Sequence, residues 1–272
     1  MAELLNREEH ERSLTDCLKR TLGSREQRFV DQLGTPPDIN NIEPSLWNDI
    51  AFELRACTEE ILLAMFLASA TQHLVDNIII NISREQARKR TEEIAKVWAG
   101  RRANELSQLL VRNSQRILAR NNGQWVKQLE AGNRLTKSNG QAAARQIFGR
   151  NRIRVIAITE TTNTIASGGE IAMNEAGLTH PHDLWFNHPE LTATGPCPIC
   201  IPLHRVTRAI WSVKFPFGPP AHTHCVCEIV YWNSVRRIEA ANPDLASVFI
   251  GTPGGDVIAP LDRGTRPFQM GL

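Results

Sequence analysis

The most constraining feature of the sequence is a group of cysteines and histidines concentrated between residues 197 and 227. Four of the six cysteines and three of the eight histidines lie there, and all of them except His204 belong to two short motifs. The motifs are Cys197-Pro198-Ile199-Cys200 and His222-Thr223-His224-Cys225-Val226-Cys227. Thiolate and imidazole are ligands that zinc prefers, and a closed tetrahedral site needs four of them. The two motifs share an i, i+3 pair of ligands, which indicates two tight turns that meet at one zinc site.

The set of predicted ligands is larger than the four places of a closed zinc site. His222 is favoured over His224 because its spacing to Cys225 matches the spacing in the first turn. Cys225 and Cys227 alternate along a predicted strand over residues 225–232 and therefore point to the same face. The sequence leaves open which of Cys225, Cys227 and His224 completes the site. The predicted metal ligands are Cys197, Cys200, His222, Cys225 and Cys227.

Other uses of these cysteines are less well supported by the sequence. Two disulfides would require an oxidising compartment, and no signal peptide is recognisable at the start of the sequence. A thioredoxin-like Cys-x-x-Cys requires a βαβ context, which the surrounding pattern does not predict. A catalytic zinc keeps an open position, so a site this rich in sulfur is predicted to be structural. A hairpin between the turns is predicted from the apolar residues Val206, Ile210, Trp211, Val213 and Phe215.

The residues before the cysteine motifs have the apolar spacing of helices. Helices are predicted over residues 1–33, from Leu46 to Ile82 and from Ser83 to Asn121-Asn122-Gly123, with a further short helix around Trp125. Ser83 opens a capping-box pattern. The apolar run between residues 61 and 70 is about half of the roughly 20 residues that a bilayer requires, so no membrane span is predicted.

The predicted fold class is α+β, with a long-helix N-terminal body followed by a smaller zinc-stapled domain with short β-hairpins and an extended C-terminal tail. The helical body is placed at residues 1–140, the zinc-containing domain at 141–240 and the tail at 241–272. The tail is rich in glycine and proline and cannot form a core of its own. Its apolar segments at residues 248–250 and 257–258 are candidates for strand pairing with a partner; an unstructured terminus is the alternative.

The overall charge does not indicate a nucleic-acid-binding protein, because the chain has 31 Lys+Arg and 29 Asp+Glu residues and a net charge of +2. A DNA contact would therefore require a local patch. The clearest candidate is a run of four arginines, with Arg101 and Arg102 further upstream. Most such runs are solvated helix faces, so the sequence favours that simpler interpretation. The run consists of Arg145, Arg150, Arg152 and Arg154.

Two features upstream of the cysteine motifs predict close packing. Glu160 follows the apolar run 155–158 and is expected near the core, where its carboxylate needs donors from threonine hydroxyls or from the arginine run. A catalytic role for Glu160 is the sharper alternative, but no paired acid or nucleophile lies nearby in the sequence. Gly168-Gly169 costs a helix about 1 kcal/mol per glycine relative to alanine. The pair predicts either a kink or the close approach of another backbone.

The order of these motifs resembles the phage head morphogenesis family, the family of the Mu F-type minor head proteins. The resemblance covers residues 145 to 232. Residues 192–196 depart from the family pattern, and Thr223-His224 stands where the pattern has proline and asparagine. The motifs that carry the resemblance are Arg154-Val155-Ile156-Ala157-Ile158-Thr159-Glu160-Thr161-Thr162, Asn174-Glu175-Ala176-Gly177, Trp185, Cys197-Pro198-Ile199-Cys200 and Pro219-Pro220-Ala221-His222-x-x-Cys225-x-Cys227.

The resemblance implies a structural, non-enzymatic virion protein of a tailed bacteriophage, present in few copies and containing structural Zn²⁺. It implies a location at the portal vertex inside the head, after synthesis in the host cytoplasm, and a role in head assembly or in DNA packaging and delivery. The implied partner is the portal protein; the major capsid protein and packaged DNA are further candidates, and a membrane is not expected. A DNA-binding zinc protein is one alternative. The other is a metal-dependent nuclease that uses His180, His182, His188 and His204.

Overall fold

The computed structural model describes residues 6–77, 84–188 and 197–232. The structure is mostly helical and has a small two-stranded sheet. The predicted capping box at Ser83, the loop over residues 192–196 and the tail at 241–272 lie outside the described residues. The helices are α1 (Arg7–Leu33), α2 (Pro44–Asn77), α3 (Arg84–Glu130), α4 (Lys137–Phe148), α5 (Arg150–Glu175) and α6 (Arg208–Lys214), and the strands are β1 (Leu184–Phe186) and β2 (Glu228–Val230).

The chain divides into two compact units. The first consists of Met1–Met65 with Glu93–Thr161, and the second of Phe66–Glu92 with Thr162–Leu272. The boundaries fall inside α2, α3 and α5, so each unit is assembled from segments that are distant in the sequence. None of the helices that the structure describes combines the length and the apolar character needed to cross a bilayer.

The first unit is a helical assembly with an extensive apolar core. On α1, Leu14, Leu18 and Leu22 are buried at intervals of four residues, which places them on one face of the helix. The Phe29 ring packs edge-on against Trp47, with ring centroids 6.0 Å apart, and against Phe148, at 5.3 Å. Aromatic pairs at these distances add to the area that they bury, so the rings tie α1 to α2 and α4.

A disulfide between Cys17 and Cys57 joins α1 to α2, with Cα atoms 6.0 Å apart. The sequence separation is 40 residues, so only the packing of the two helices brings the sulfurs together. Neither Cys17 nor Cys57 belongs to the two cysteine motifs, and the sequence predicts no partner for either. The four cysteines of those motifs are free thiols in the structure.

The predicted end of the third helix at Asn121-Asn122-Gly123 is wrong, because α3 continues to Glu130 without interruption. Tertiary contacts hold this part of the helix. The Asn121 side-chain amide donates to the Ile117 carbonyl at 2.9 Å and to Gln146 Oε1 at 3.1 Å. Trp125, one turn later, is buried in the first unit's core. Packing therefore outweighs the helix-breaking tendency of the Asn-Asn-Gly sequence.

The second unit contains the sheet, in which β1 and β2 pair antiparallel with Trp185 opposite Ile229. The predicted hairpin between the two cysteine motifs is wrong, because that segment contains the short helix α6. Trp211 points into the core and its indole N–H donates to the Asp183 carbonyl at 3.2 Å. Ile210 and Val213 are exposed, so the alternating apolar pattern reflects a half-buried helix rather than a strand.

The prediction of close backbone approach at Gly168-Gly169 is confirmed in the second unit. A Cβ on Gly168 would lie 2.5 Å from the Phe66 carbonyl oxygen, and one on Gly169 would lie 2.5 Å from the His73 ring. Beside this contact the Ser69 hydroxyl donates to the Ile165 carbonyl at 2.7 Å. Gly168 therefore allows segments of α2 and α5 to touch backbone to backbone, and Gly169 leaves room for the His73 ring.

Replacing Gly168 by alanine is expected to destabilise the protein by about 1–3 kcal/mol, because the added methyl group meets backbone that cannot move alone. Urea unfolding followed by circular dichroism measures the change. Gly123 is the matched control: it lies inside α3, and a Cβ there would have nothing within 4 Å. Gly123→Ala should leave stability unchanged or raise it by up to about 1 kcal/mol. Equal effects of the two substitutions would contradict the close approach at Gly168.

Candidate metal centre

The two cysteine motifs form turns of the same kind. The Cys200 N–H donates to the Cys197 carbonyl at 3.0 Å, and the Cys225 N–H donates to the His222 carbonyl at 3.2 Å. In the first turn the Ile199 N–H also donates to the Cys197 sulfur, at 3.3 Å. Each turn therefore presents two ligand atoms from residues i and i+3 toward the same point.

The turns bring the five predicted ligands together in two overlapping sets. One set is Cys197, Cys200 and His222, and the other is Cys200, Cys225 and Cys227; within each set all ligand atoms lie within 4.8 Å of one another. Cys200 belongs to both, with its sulfur 3.0 Å from His222 Nε2 and 3.9 Å from the Cys225 sulfur. These groups are close enough to hold a metal ion.

The donor set fits a tetrahedral metal with sulfur and nitrogen ligands. A zinc–sulfur bond of about 2.3 Å places two sulfurs of a tetrahedron about 3.8 Å apart, and the observed separation of Cys200 and Cys225 is 3.9 Å. His222 Nδ1 lies in hydrogen-bonding contact with the Thr223 carbonyl. Since a carbonyl only accepts, Nδ1 carries the proton, and Nε2 keeps its lone pair on the side of Cys200.

His224, the rival ligand, is exposed and has a left-handed backbone with φ of 62°. Among the described residues it belongs to neither set of metal-competent groups. Cys225 and Cys227 are both buried and both belong to the second set. The geometry therefore favours the two cysteines over His224.

The sulfurs are also a large part of the second unit's core. Two tryptophans form its other main element: the rings of Trp185 and Trp211 pack edge-on at 5.8 Å. Cysteine is small, and a core with three of nine buried positions held by cysteine has little apolar area to stabilise it. The nine buried residues are Met173, Trp185, Cys200, Trp211, Ala221, Cys225, Cys227, Ile229 and Tyr231.

The sulfur contacts favour one thiolate in the cluster, at Cys225. Bonds from the thiols of Cys200 and Cys227 lower the pKa of the Cys225 thiol, so this sulfur is the one most readily held as a thiolate. The contact with Cys225 raises the pKa of Cys200. A thiolate is the form of cysteine that binds metal, and a bound cation offsets the repulsion that further thiolates would otherwise meet.

A buried polar network supports the sheet beside the cluster. Arg208 on α6 donates to both carboxylate oxygens of Glu170 at 2.6 Å and to Asp183 at 2.9 Å. Asp183 is fully buried and also accepts the Trp232 N–H at 2.9 Å. Sequence reasoning missed this network, because its members lie on separate elements without a shared motif.

Tyr231 reports directly on this network, since it is the one tyrosine of the chain. Its hydroxyl donates to Glu170 at 3.3 Å. Burial, with a further contribution from the Glu170 charge, raises the pKa of Tyr231 well above its usual value. The unfolded chain loses this proton at lower pH than the folded chain does. The free energy of unfolding should therefore fall as the pH rises above about 10.

Ultraviolet difference absorbance tests this prediction. The folded protein should show no tyrosinate signal near pH 10, whereas the protein in urea should titrate with a midpoint of about 10. Tryptophan does not ionise in this range, so the signal belongs to Tyr231. A folded protein that titrates with the ordinary midpoint would contradict the burial of this side chain.

Glu160 lies in the first unit and is buried, as predicted. Arg102 on α3 supplies two donors to its carboxylate, Nε at 2.8 Å and a terminal nitrogen at 2.6 Å. Arg102, a candidate for the basic surface upstream of the arginine run, points inward and is only 16% accessible. The bidentate pair gives Glu160 a structural role in holding α3 against α5.

The four histidines of the nuclease alternative make other contacts. His180 Nδ1 accepts the backbone N–H of His182 at 3.2 Å, and His188 Nε2 bonds to Glu228 at 2.8 Å. His204 Nδ1 accepts a backbone N–H at 3.2 Å. Within the part of the chain that the structure describes, none of the four belongs to a metal-competent set. No observation here favours a nuclease centre.

Comparison with protein-family models, curated proteins and solved structures gives no match to this chain. The resemblance to the phage head morphogenesis family therefore stays a prediction from the order of the motifs. The convergence of the two turns does not depend on that resemblance.

Proposed function

We propose that this chain is a non-catalytic minor head protein of a tailed bacteriophage, of the Mu F type, and that its Cys/His cluster holds one structural zinc ion. The single observation that carries the proposal is that two turns, about 20 residues apart in the sequence, bring their ligand atoms into two overlapping sets that share Cys200. The order of motifs over residues 145–232 supports the proposed family, and the geometry of the cluster supports a structural role for the metal.

Zinc is the metal that this donor set favours. Soft thiolate ligands select zinc or copper(I) over magnesium, calcium and manganese, and a mixed sulfur and nitrogen set in tetrahedral arrangement is typical of zinc. Cys200, Cys225 and Cys227 are buried, and four ligands drawn from the five candidates fill a tetrahedral shell. When bound, zinc supplies a cross-link between the turns, and a filled shell leaves no position for substrate.

In this proposal zinc holds the residues of a binding surface in place and takes no part in a reaction. Ile210, Val213 and Phe217 follow the first turn and carry exposed apolar side chains; Val213 and Phe217 are each 85% exposed. Neighbouring exposed apolar side chains mark protein contact sites. They support a docking role for the second unit, with the portal protein at the inner face of the portal vertex as the partner.

Co-purification with the portal protein of the same phage tests this function. Tagged portal protein should retain the metal-loaded chain, and stripping zinc with a chelator should abolish retention. The variant Val213→Ser/Phe217→Ser removes the exposed apolar pair without touching the cluster and should weaken retention at least tenfold. The control Ile199→Ser changes an exposed apolar residue inside the first turn and should bind as wild type. No retention of the zinc-loaded wild-type chain would contradict the portal assignment.

A further inference from the structure

A cleft of about 630 Å³ lies in the first unit, where α4 ends and α5 begins. Three arginines, Arg145, Arg150 and Arg152, line it together with one acid, Glu26. Its volume lies in the range of small-molecule sites. The three positive charges exceed the single negative charge by two, so the cleft is basic although the whole chain is close to neutral.

The charges in this cleft are not neutralised by any residue in the part of the chain that the structure describes. Among the described residues, no ion pair involves Arg145, Arg150, Arg152 or Glu26. Other arginines of the chain do have acidic partners, as Arg102 does with Glu160 and Arg208 does with Glu170. An unneutralised cluster of guanidinium groups around a concave surface attracts an anion.

Arg152 is the strongest indication, because its side chain is partly buried and has no acidic partner among the described residues. Its terminal nitrogens donate to neutral acceptors: the Ser114 hydroxyl at 3.0 Å and the carbonyls of Ile147 at 2.6 Å and Leu110 at 3.2 Å. Its Nε is buried and has no hydrogen-bond partner within the described structure. Burial lowers the pKa of Arg152 to about 10. An anion in the cleft would offset this cost.

The backbone adds to the positive character of the cleft. Gly149 lines it and accepts the first hydrogen bond of α5, from the Ile153 N–H at 3.2 Å. A Cβ at Gly149 would collide with the Arg145 carbonyl, so a side chain there is excluded. No acidic residue lies in the first turn of α5. The free N–H groups and the helix dipole at this end favour a negative charge.

We infer that this cleft binds a phosphate group, the phosphodiester of a nucleic-acid backbone or a free phosphate ion. Arginine suits phosphate because its planar group donates two parallel hydrogen bonds to the oxygens. The exposed Arg145 and Arg150 can reach a backbone phosphate, and the partly buried Arg152, held by its hydrogen bonds, provides a fixed positive charge behind them. The site lies wholly in the first unit and rests on neither the zinc nor the portal contact.

The test uses the full, zinc-loaded chain and the variant Arg145→Gln/Arg150→Gln. Both residues are exposed, and neither forms an ion pair within the described structure, so the fold should be unaffected. Arg152 is left intact because its bonds to Ser114 also hold α5 to α3. The matched control is Arg134→Gln/Arg154→Gln, which removes the same charge from exposed arginines that do not line the cleft.

Binding to a nucleic-acid backbone is measured by fluorescence anisotropy with a short labelled DNA duplex, across a series of salt concentrations. The cleft variant should lose about tenfold or more in affinity, and its plot of log affinity against log salt should be shallower by about 2 than the wild-type plot. The control variant should lose less affinity for DNA than the cleft variant does. Its loss reflects only the reduced overall charge, so the loss should be the same for any polyanion.

Binding of free phosphate is measured by isothermal titration calorimetry with inorganic phosphate. Binding of phosphate alone, lost in the cleft variant and retained in the control, would assign the cleft to free phosphate. Loss of DNA binding in the cleft variant would assign it to the nucleic-acid backbone. If the cleft variant and the control behave alike toward both probes, the inference is overturned. That result would leave the proposed function intact, because zinc content and portal binding are measured separately from the cleft.

Discussion

Replacing Cys200 by serine is expected to unfold the second unit under conditions in which the wild type is folded. Cys200 is the one residue common to both metal-competent sets, so its loss breaks each of them. Structural zinc contributes on the order of 10 kcal/mol of binding-coupled folding energy. The core of nine buried residues, three of them cysteines, cannot replace that contribution.

Tryptophan fluorescence and near-ultraviolet circular dichroism measure this effect, because Trp185 and Trp211 are buried in that core. His224→Asn is the matched control. It changes a histidine of the same motif that lies outside both sets, and asparagine tolerates the positive φ found there. The control should shift stability by no more than about 0.5 kcal/mol. A folded Cys200→Ser protein with native tryptophan spectra would show that the metal does not hold the unit together.

Replacing Arg102 by methionine is expected to destabilise the first unit by about 3–5 kcal/mol, because it removes one partner of a buried ion pair. Glu160 is only 1% exposed and would lose both guanidinium bonds. The double variant Arg102→Met/Glu160→Gln should recover part of the loss, since no charge then stays buried without its partner. Urea unfolding of the two single variants and the double variant gives the coupling energy.

Lys19→Met provides the comparison for this pair. Lys19 and Asp16 form an exposed ion pair with side chains 51% and 59% accessible, and such pairs contribute between about 0 and 1 kcal/mol. A loss at Arg102 no larger than the loss at Lys19 would contradict a structural role for the Arg102–Glu160 pair. It would reopen the alternative that Glu160 takes part in chemistry.

The sequence was sufficient for features that depend on local spacing. The i, i+3 ligand pairs predicted two equivalent turns, and the long apolar periodicities predicted α2 and most of α3. The looser spacing in residues 1–33 predicted one or two short helices where the structure has the single helix α1. The cost of two adjacent glycines in a helix predicted the close contact at Gly168. In each case the residues that form the pattern are the same residues that form the predicted turn, helix or contact.

Features that depend on tertiary packing could not be predicted in this way. The Cys17–Cys57 disulfide joins residues 40 apart, and the donors to Glu160 come from a residue 58 positions away. The segment around Trp211 has apolar residues at spacings that suit either a strand or one face of a short helix. Burial of Trp211 and its bond to Asp183 select the helix, and neither contact is visible in the local sequence.

The metal content of the purified chain tests the central claim most directly. Elemental analysis by mass spectrometry, on protein expressed without added metal and without a metal-binding tag, should find about one zinc ion per chain. The variant Cys197→Ser/Cys200→Ser should contain none, and His224→Asn should keep the wild-type amount. A wild-type chain with no more zinc than the double serine variant would contradict the account, because the two turns would then meet without a metal between them.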